Sequence, residues 1–306
     1  MKKFTLVFVC ILLFSFGAFS QEEWFPNEGI SPYSLEAKEL AFSKGDMVVS
    51  PLVVKFPNGL IVDWGKRVIV VKGQEFITGK PTPQNKKLIE KGAVYNAKMK
   101  MVKLIDEFRV DRSRRLADMF QASSKLKTKV KDLIMSRSKV VHKAHLEDRK
   151  MLEVTLALDI YGKNSLSEAL FWHLFYWESA WNKYYPGFKS STSEAFSGLV
   201  IDARGLDLEP AFLPRIVNED EDSLYRDKYV NYALLVKKGL VLYTDSIDTA
   251  MISPRVGVKP ILIKAVTKVK SAYGTDVILS EDDEERLKKE DKNEVFLKYL
   301  RVIIVL

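Results

Sequence analysis

Cysteine is nearly absent from this chain of 306 residues: there is one, Cys10. It lies inside a leader that reads as a secretory signal. Lys2 and Lys3 form a basic start, Phe4 to Phe19 is almost wholly apolar, and Ala18-Phe19-Ser20 is the small-x-small pattern that precedes cleavage. Cleavage is expected after Ser20, so the mature chain is expected in the periplasm. The six residues between Lys3 and Cys10 make a short signal core for a lipoprotein. Without cysteine, a mature chain has no disulfide, thiol nucleophile, thiolate-bound zinc or iron–sulfur cluster. It must stand on its apolar core.

Histidine is scarce too. His142 and His145 lie three apart on a predicted strand, where odd spacing sends side chains to opposite faces, and His173 is far away in sequence. A histidine metal site is therefore not expected. Nucleophile elbow, phosphate-binding loop, zincin helix and dinucleotide fingerprint are all missing. No pair stands out among the 40 acidic residues. Asn218 to Ser223 alternates oxygen-bearing side chains as calcium loops do, but lacks their turn glycine and distal glutamate, and reads as a polar hairpin turn. No run after the leader approaches the ~18 apolar residues of a membrane span. The expectation is a non-enzyme with no cofactor, metal or small-molecule substrate.

What is present is globular: 47% apolar and 29% charged residues. Residues 21–59 hold Pro26, Pro32, Pro51 and Pro57 and one short helix-like run, Leu35 to Phe42, and read as an arm. Residues 60–162 read as a ββααββ domain. Its first hairpin is Leu60–Trp64 with Arg67–Lys72. A helix over Gln84–Phe108 has its stripe at Leu88, Val94, Tyr95, Met101, Val102, Ile105 and Phe108. A second helix over Ser113–Ser136 has its arc at Leu116, Met119, Phe120, Leu126, Val130, Leu133 and Ile134. The second hairpin is Val140–Glu147 with Met151–Ile160. Residues 163–187 read as a connecting helix crowded with rings: Phe171, Trp172, Phe175, Tyr176, Trp177, Trp181, Tyr184 and Tyr185. Residues 188–306 read as a β-rich domain, with strands over Leu199–Ala203, Ala211–Val217, Leu240–Thr244, Ile261–Val269, Asp276–Leu279 and Arg301–Leu306. Ser280 and Asp283 form a capping pattern before a short charged helix. The fold class is α+β: a small antiparallel sheet covered by a helix pair, then the aromatic helix, then the second unit.

Charge is uneven. Between Lys86 and Lys150 there are 19 basic and 8 acidic residues, an excess of +11, while the rest of the mature chain is near −5. Such a lobe attracts acidic surfaces. Export and the lack of a stacking platform beside the lysines argue against nucleic acid, which leaves a protein partner as the expectation and contact with a membrane surface as an open alternative. The candidate binding residues are Arg112, Arg115, Lys125, Lys127, Lys129 and Lys131 for electrostatic steering. Trp172, Tyr176, Trp177 and Trp181 are the ring anchors.

Val62-Asp63-Trp64 before a hairpin, the helix pair, and Val154 to Leu158 resemble the small domain shared by Lpp-type twenty-kilodalton outer-membrane lipoproteins and the N-terminal part of flagellar assembly protein T. Gly198-Leu199-Val200-Ile201-Asp202-Ala203-Arg204-Gly205, Pro210-Ala211, Pro214-Arg215-Ile216, Ile263-Lys264-Ala265-Val266, Gly274-Thr275-Asp276 and Arg301 to Val305 resemble the segment that follows in exported relatives. The resemblance implies a non-catalytic periplasmic component that coats or assembles around a flagellar structure, as spirochaete sheath and coiling proteins do. Its partners would be filament or sheath subunits. The aromatic helix and the basic enrichment are additions to the pattern. The second reading is an envelope protein binding lipid or another surface component.

Overall fold

The computed structural model describes residues 52–80, 82–175, 196–227, 230–290 and 295–306. The leader with its cleavage position, the Leu35–Phe42 run, and Tyr176, Trp177 and Trp181 lie outside them. The architecture is α+β. The first unit runs β1 (Val53–Lys55), β2 (Ile61–Asp63), β3 (Val68–Phe76), α1 (Pro83–Leu104), α2 (Leu116–Ala122), α3 (Ser124–Arg137), β4 (Lys139–Leu146) and β5 (Met151–Asp159). Its five strands form one antiparallel sheet in the order β1-β2-β3-β5-β4. The residues before Leu60, expected in the arm, thus supply an edge strand. Alternation along β5 works as its spacing predicts: Leu152, Val154, Leu156, Leu158 and Ile160 are all buried in the core cluster.

Two local features decide how the helices sit. Thr82 accepts from the Asn85 N–H at 3.2 Å and opens α1 just ahead of Pro83. The single helix expected over Ser113–Ser136 is broken at Ser123, whose extended backbone ends α2 while its hydroxyl accepts from the Leu126 N–H and opens α3. Helix α1 lies directly on β3. A methyl group on Gly73 would fall 2.3–2.5 Å from the backbone and Cβ of Ala97. Gly73→Ala is therefore expected to push helix and sheet apart, at a cost of about 3 kcal/mol or more. Urea denaturation of the purified variant checks this, and an unchanged midpoint would refute the close approach.

The buried face of α1 is Ile89, Ala93, Ala97, Met101 and Leu104. Leu88 and Tyr95, expected in its buried stripe, instead point to solvent. On the other face of the sheet, Lys72 and Gln74 both bond Glu153, at 2.7 and 2.8 Å. Burial raises the Glu153 pKa, but these two bonds outweigh it and hold the carboxyl below its usual range.

Helix α4 (Leu166–Phe175) leads out of the first unit. The second unit follows: β6 (Gly198–Asp202), β7 (Ile216–Val217), β8 (Ser223–Tyr225), α5 (Tyr232–Lys238), β9 (Leu242–Thr244), α6 (Ile247–Met251), β10 (Pro260–Lys264), β11 (Thr267–Lys268), β12 (Val277–Ile278), α7 (Glu281–Glu290), α8 (Val295–Lys298) and β13 (Val302–Val305). It holds two four-stranded sheets. One, in the order β10-β6-β13-β9, is parallel throughout, and β6 and β13 are buried nearly end to end. Strands covered on both faces carry continuous apolar runs, as Leu199-Val200-Ile201 and Val302-Ile303-Ile304-Val305 do. The other sheet, β11-β12-β7-β8, is mixed and short-stranded. Only Ile216–Val217 of the expected strand Ala211–Val217 is extended in a sheet.

The preceding residues cross to the first unit: Phe212 N–H donates to the Arg109 carbonyl at 3.1 Å and Leu213 N–H to that of Val110 at 2.7 Å. Rings continue the join. Trp64 meets Phe108 at 5.5 Å and Tyr243 at 5.4 Å, and Phe212 meets Phe108, Tyr161 and Phe171 at 6.0, 5.5 and 5.2 Å. The two units share one hydrophobic core.

Candidate interaction surface

The basic residues singled out by sequence fall in two places. Arg112 and Arg115 lie in the turn between α1 and α2, against the second unit. Arg112 reaches Glu221 at 3.2 Å, Arg115 reaches Glu107 at 2.9 Å, and the neighbouring Arg109 reaches Glu209 at 2.7 Å. The Arg112 carbonyl accepts from the Tyr273 N–H, and the Arg115 guanidinium sits 6.0 Å from the Tyr273 ring centre. The bond to Glu107 keeps the Arg115 pKa above its ordinary value. These arginines join the two units, and their charge is matched locally. Beside them Lys268, Lys270 and Tyr273 line an open groove of about 610 Å³.

The lysines of α3 behave otherwise. Lys125, Lys127, Lys129 and Lys131 are all exposed, and among the described residues none of them pairs with a carboxylate. Leu126, Val130 and Ile134 anchor the helix in the core. At 100° per residue, Lys125 and Lys129 then flank one side of that anchor and Lys127 and Lys131 the other. Met135 continues the second row at the same interval of four. There it lines a groove of roughly 440 Å³ against α1, together with Val94, Tyr95, Lys87, Lys91, Lys98 and Glu90, the last paired with Lys143 at 2.9 Å. The Lys98 ammonium donates to the Met135 carbonyl at 2.6 Å, which ties the end of α3 to α1.

Helix α3 also packs on α4, so the structure brings the lysine helix beside the start of the ring-rich helix. Along α4, Leu166, Ala169, Leu170 and Phe171 enter the core, and Trp172 stands next in line. The Ser165 hydroxyl donates to the Gly162 carbonyl and that of Ser167 to the Val236 carbonyl, so both serines bind the preceding turn and α5.

The remaining candidates are structural. His142 and His145 are largely buried and lie three apart on β4, paired with Thr155 and Leu152 of β5. Asn218 to Ser223 forms the turn into β8, closed by the Asp222 N–H donating to the Asn218 side chain at 2.8 Å, with Glu221 held by Arg112. Among the described residues no group of three or more histidine, cysteine, aspartate or glutamate side chains is placed to hold a metal ion, and no helix is long and apolar enough to cross a membrane. Two features were missed in the sequence. Arg215 and Asp276, from the quoted segments Pro214-Arg215-Ile216 and Gly274-Thr275-Asp276, form a buried ion pair at 2.6 Å. The Arg255 guanidinium donates to the carbonyls of Lys238, Gly239, Leu240 and Val302 at 2.7–3.0 Å, and burial lowers its pKa to about 10.

Among curated proteins none matches the chain. Residues 198–306, from the first residue of β6 through β13, are similar to the second domain of Treponema pallidum Tp0624, whose family model matches them.

Proposed function

We propose that this is an exported, non-catalytic structural or assembly protein that docks through its cationic helical layer onto an acidic protein surface in the periplasm. The observation that carries this reading is the two rows of exposed lysines on α3, Lys125 with Lys129 and Lys127 with Lys131, without carboxylate partners among the described residues, the second row running on to Met135 in the groove against α1. The filament or basal body of a periplasmic flagellum is the first candidate partner, on the resemblance of the first unit.

The test is co-sedimentation of the mature protein with purified periplasmic flagella. Changing Lys125, Lys127, Lys129 and Lys131 together to glutamine is expected to weaken it about tenfold at physiological salt, and added salt is expected to weaken the wild type in the same direction. Circular dichroism should remain unchanged, since all four side chains are on the surface. Equal sedimentation of variant and wild type would defeat the proposal. Recovery only with detergent-extracted membrane would favour the lipid-binding alternative.

A further inference from the structure

The parallel sheet of the second unit has its charges sorted by end. Asp202, Asp245 and Asp248 lie at or beyond the C-terminal ends of β6 and β9. At the N-terminal ends, cations gather around Arg255. Its Nε donates to the carbonyl of Val302, the first residue of β13, and its Nη1 and Nη2 to the carbonyls of Lys238, Gly239 and Leu240 ahead of β9. That seat puts it beside Lys238 and next to Arg301, whose Nη1 reaches the Ser197 carbonyl ahead of β6 at 3.2 Å. Burial first, then repulsion from Arg255, Arg301 and Lys237, lowers the Lys238 pKa, so these four charges are close enough to act on one another. Arg67, in the turn between β2 and β3, acts on Arg255 in the same sense. Among the described residues no carboxylate pairs with any of the five.

The fold gains little from this crowding. Cations suit a helix C-terminus, where carbonyls are left open, but at the end of α5 Arg255 has already taken those carbonyls. The lysines beside it therefore add repulsion more than bonding. A neutral donor stands among them. The ring carbon that bears the Tyr161 hydroxyl lies so close over Gly239 that a methyl group there would fall 2.5 Å from it. Tyr161 is within electrostatic reach of both Arg67 and Arg255, yet its hydroxyl has no hydrogen-bond partner among the described residues.

The donors left over share one chemistry. They are the Lys238 ammonium, the Arg67 guanidinium, the Arg301 N–H groups not spent on Ser197, and the Tyr161 hydroxyl. All four side chains are half-buried, which shelters a ligand from water and still leaves a way in. A carboxylate brings one charge on two oxygens and would leave most of the cluster unanswered. A phosphoryl group brings nearly two charges at neutral pH and three strong acceptor oxygens, and guanidinium forks match its geometry.

We infer that the N-terminal edge of the parallel sheet, at Lys238, Arg301, Arg67 and Tyr161 around Arg255, is a binding site for a phosphoryl dianion. It lies apart from the α3 lysines and does not depend on the docking function proposed above.

The probe is inorganic phosphate, titrated calorimetrically at constant ionic strength into the full mature protein. One saturable site per chain is expected. Lys238→Gln with Arg301→Gln is expected to weaken binding at least tenfold. Lys238→Gln alone, which breaks no side-chain hydrogen bond among the described residues, should weaken it at least threefold. Lys264→Gln with Lys289→Gln removes the same charge from the opposite edge of the sheet and from α7, and should leave binding within twofold. Circular dichroism checks that each variant is folded. Vesicles containing phosphatidic acid form a second arm. If they bind in a manner that needs Lys238 and Arg301 while free phosphate does not, the phosphoryl group belongs to a lipid headgroup. If free phosphate binds and vesicles do not, it belongs to a soluble ligand. An absence of saturable binding in both arms overturns the inference. So does equal binding by the double variant and the wild type, or tighter binding of a short polyglutamate peptide than of phosphate.

Discussion

Replacing Arg255 by leucine is expected to lower the unfolding free energy by about 3 kcal/mol and the thermal midpoint by roughly 10 °C. The guanidinium donates to three carbonyls at the end of α5 and the following turn, and to one on the central strand β13. It thereby satisfies acceptors that a helix end leaves open, and fastens that end to the parallel sheet. Leucine fills similar space but leaves the carbonyls unpaired in a place where water has little room. Lysine keeps the charge without the planar fork and is expected to recover less than half of the loss. Urea denaturation of the three proteins measures this. An unshifted midpoint for the leucine variant would show that the clamp contributes nothing.

A larger consequence is expected from Phe212→Ala. This fully buried ring touches Phe108 in the first unit and Tyr161 and Phe171 at the connection. Its removal should cost about 3–5 kcal/mol through lost burial and a residual cavity. Because the ring lies where the two units meet, the loss also weakens their coupling. Scanning calorimetry should show one transition in the wild type and two in the variant. Destabilisation with a single transition retained would mean that the remaining contacts, Trp64 against Tyr243 among them, suffice to couple the units.

Much of the first unit was legible from periodicity. Both hairpins and the arc of the second helix follow from alternation and the 3.6-residue repeat, since each element buries one face. The register of α1 was not. Its core side is alanine-rich because Gly73 lets the helix backbone approach β3 too closely for larger side chains. Leu88 and Tyr95 are left in solvent while Ala93 and Ala97 face the sheet, so weighting the larger apolar residues shifts the expected stripe away from its true centre. The break at Ser123 was hidden for a related reason: the apolar arc continues across it, and only the serine signals a new start.

In the second unit, the continuous apolar runs of β6 and β13 announced burial but not direction. The helices between strands are short. Asn231, whose side chain accepts from the Ala233 and Leu234 N–H groups, and Gly239, at a φ of 73°, bracket α5 and were the available signal for it. Of the candidate surface, the lysines of α3 were found by spacing. The neutralised state of Arg112 was not, because its partner Glu221 lies 109 residues further along.

The region similar to a Tp0624 domain begins at Gly198, whereas Trp64, Phe108, Tyr161 and Phe171, which roof Phe212 and Tyr243, all precede it. Cut out at that boundary, residues 198–306 would bare a patch of aromatic carbon and clump in solution. In this chain the module is half a clasp, and the rings of residues 64–171 furnish the other half.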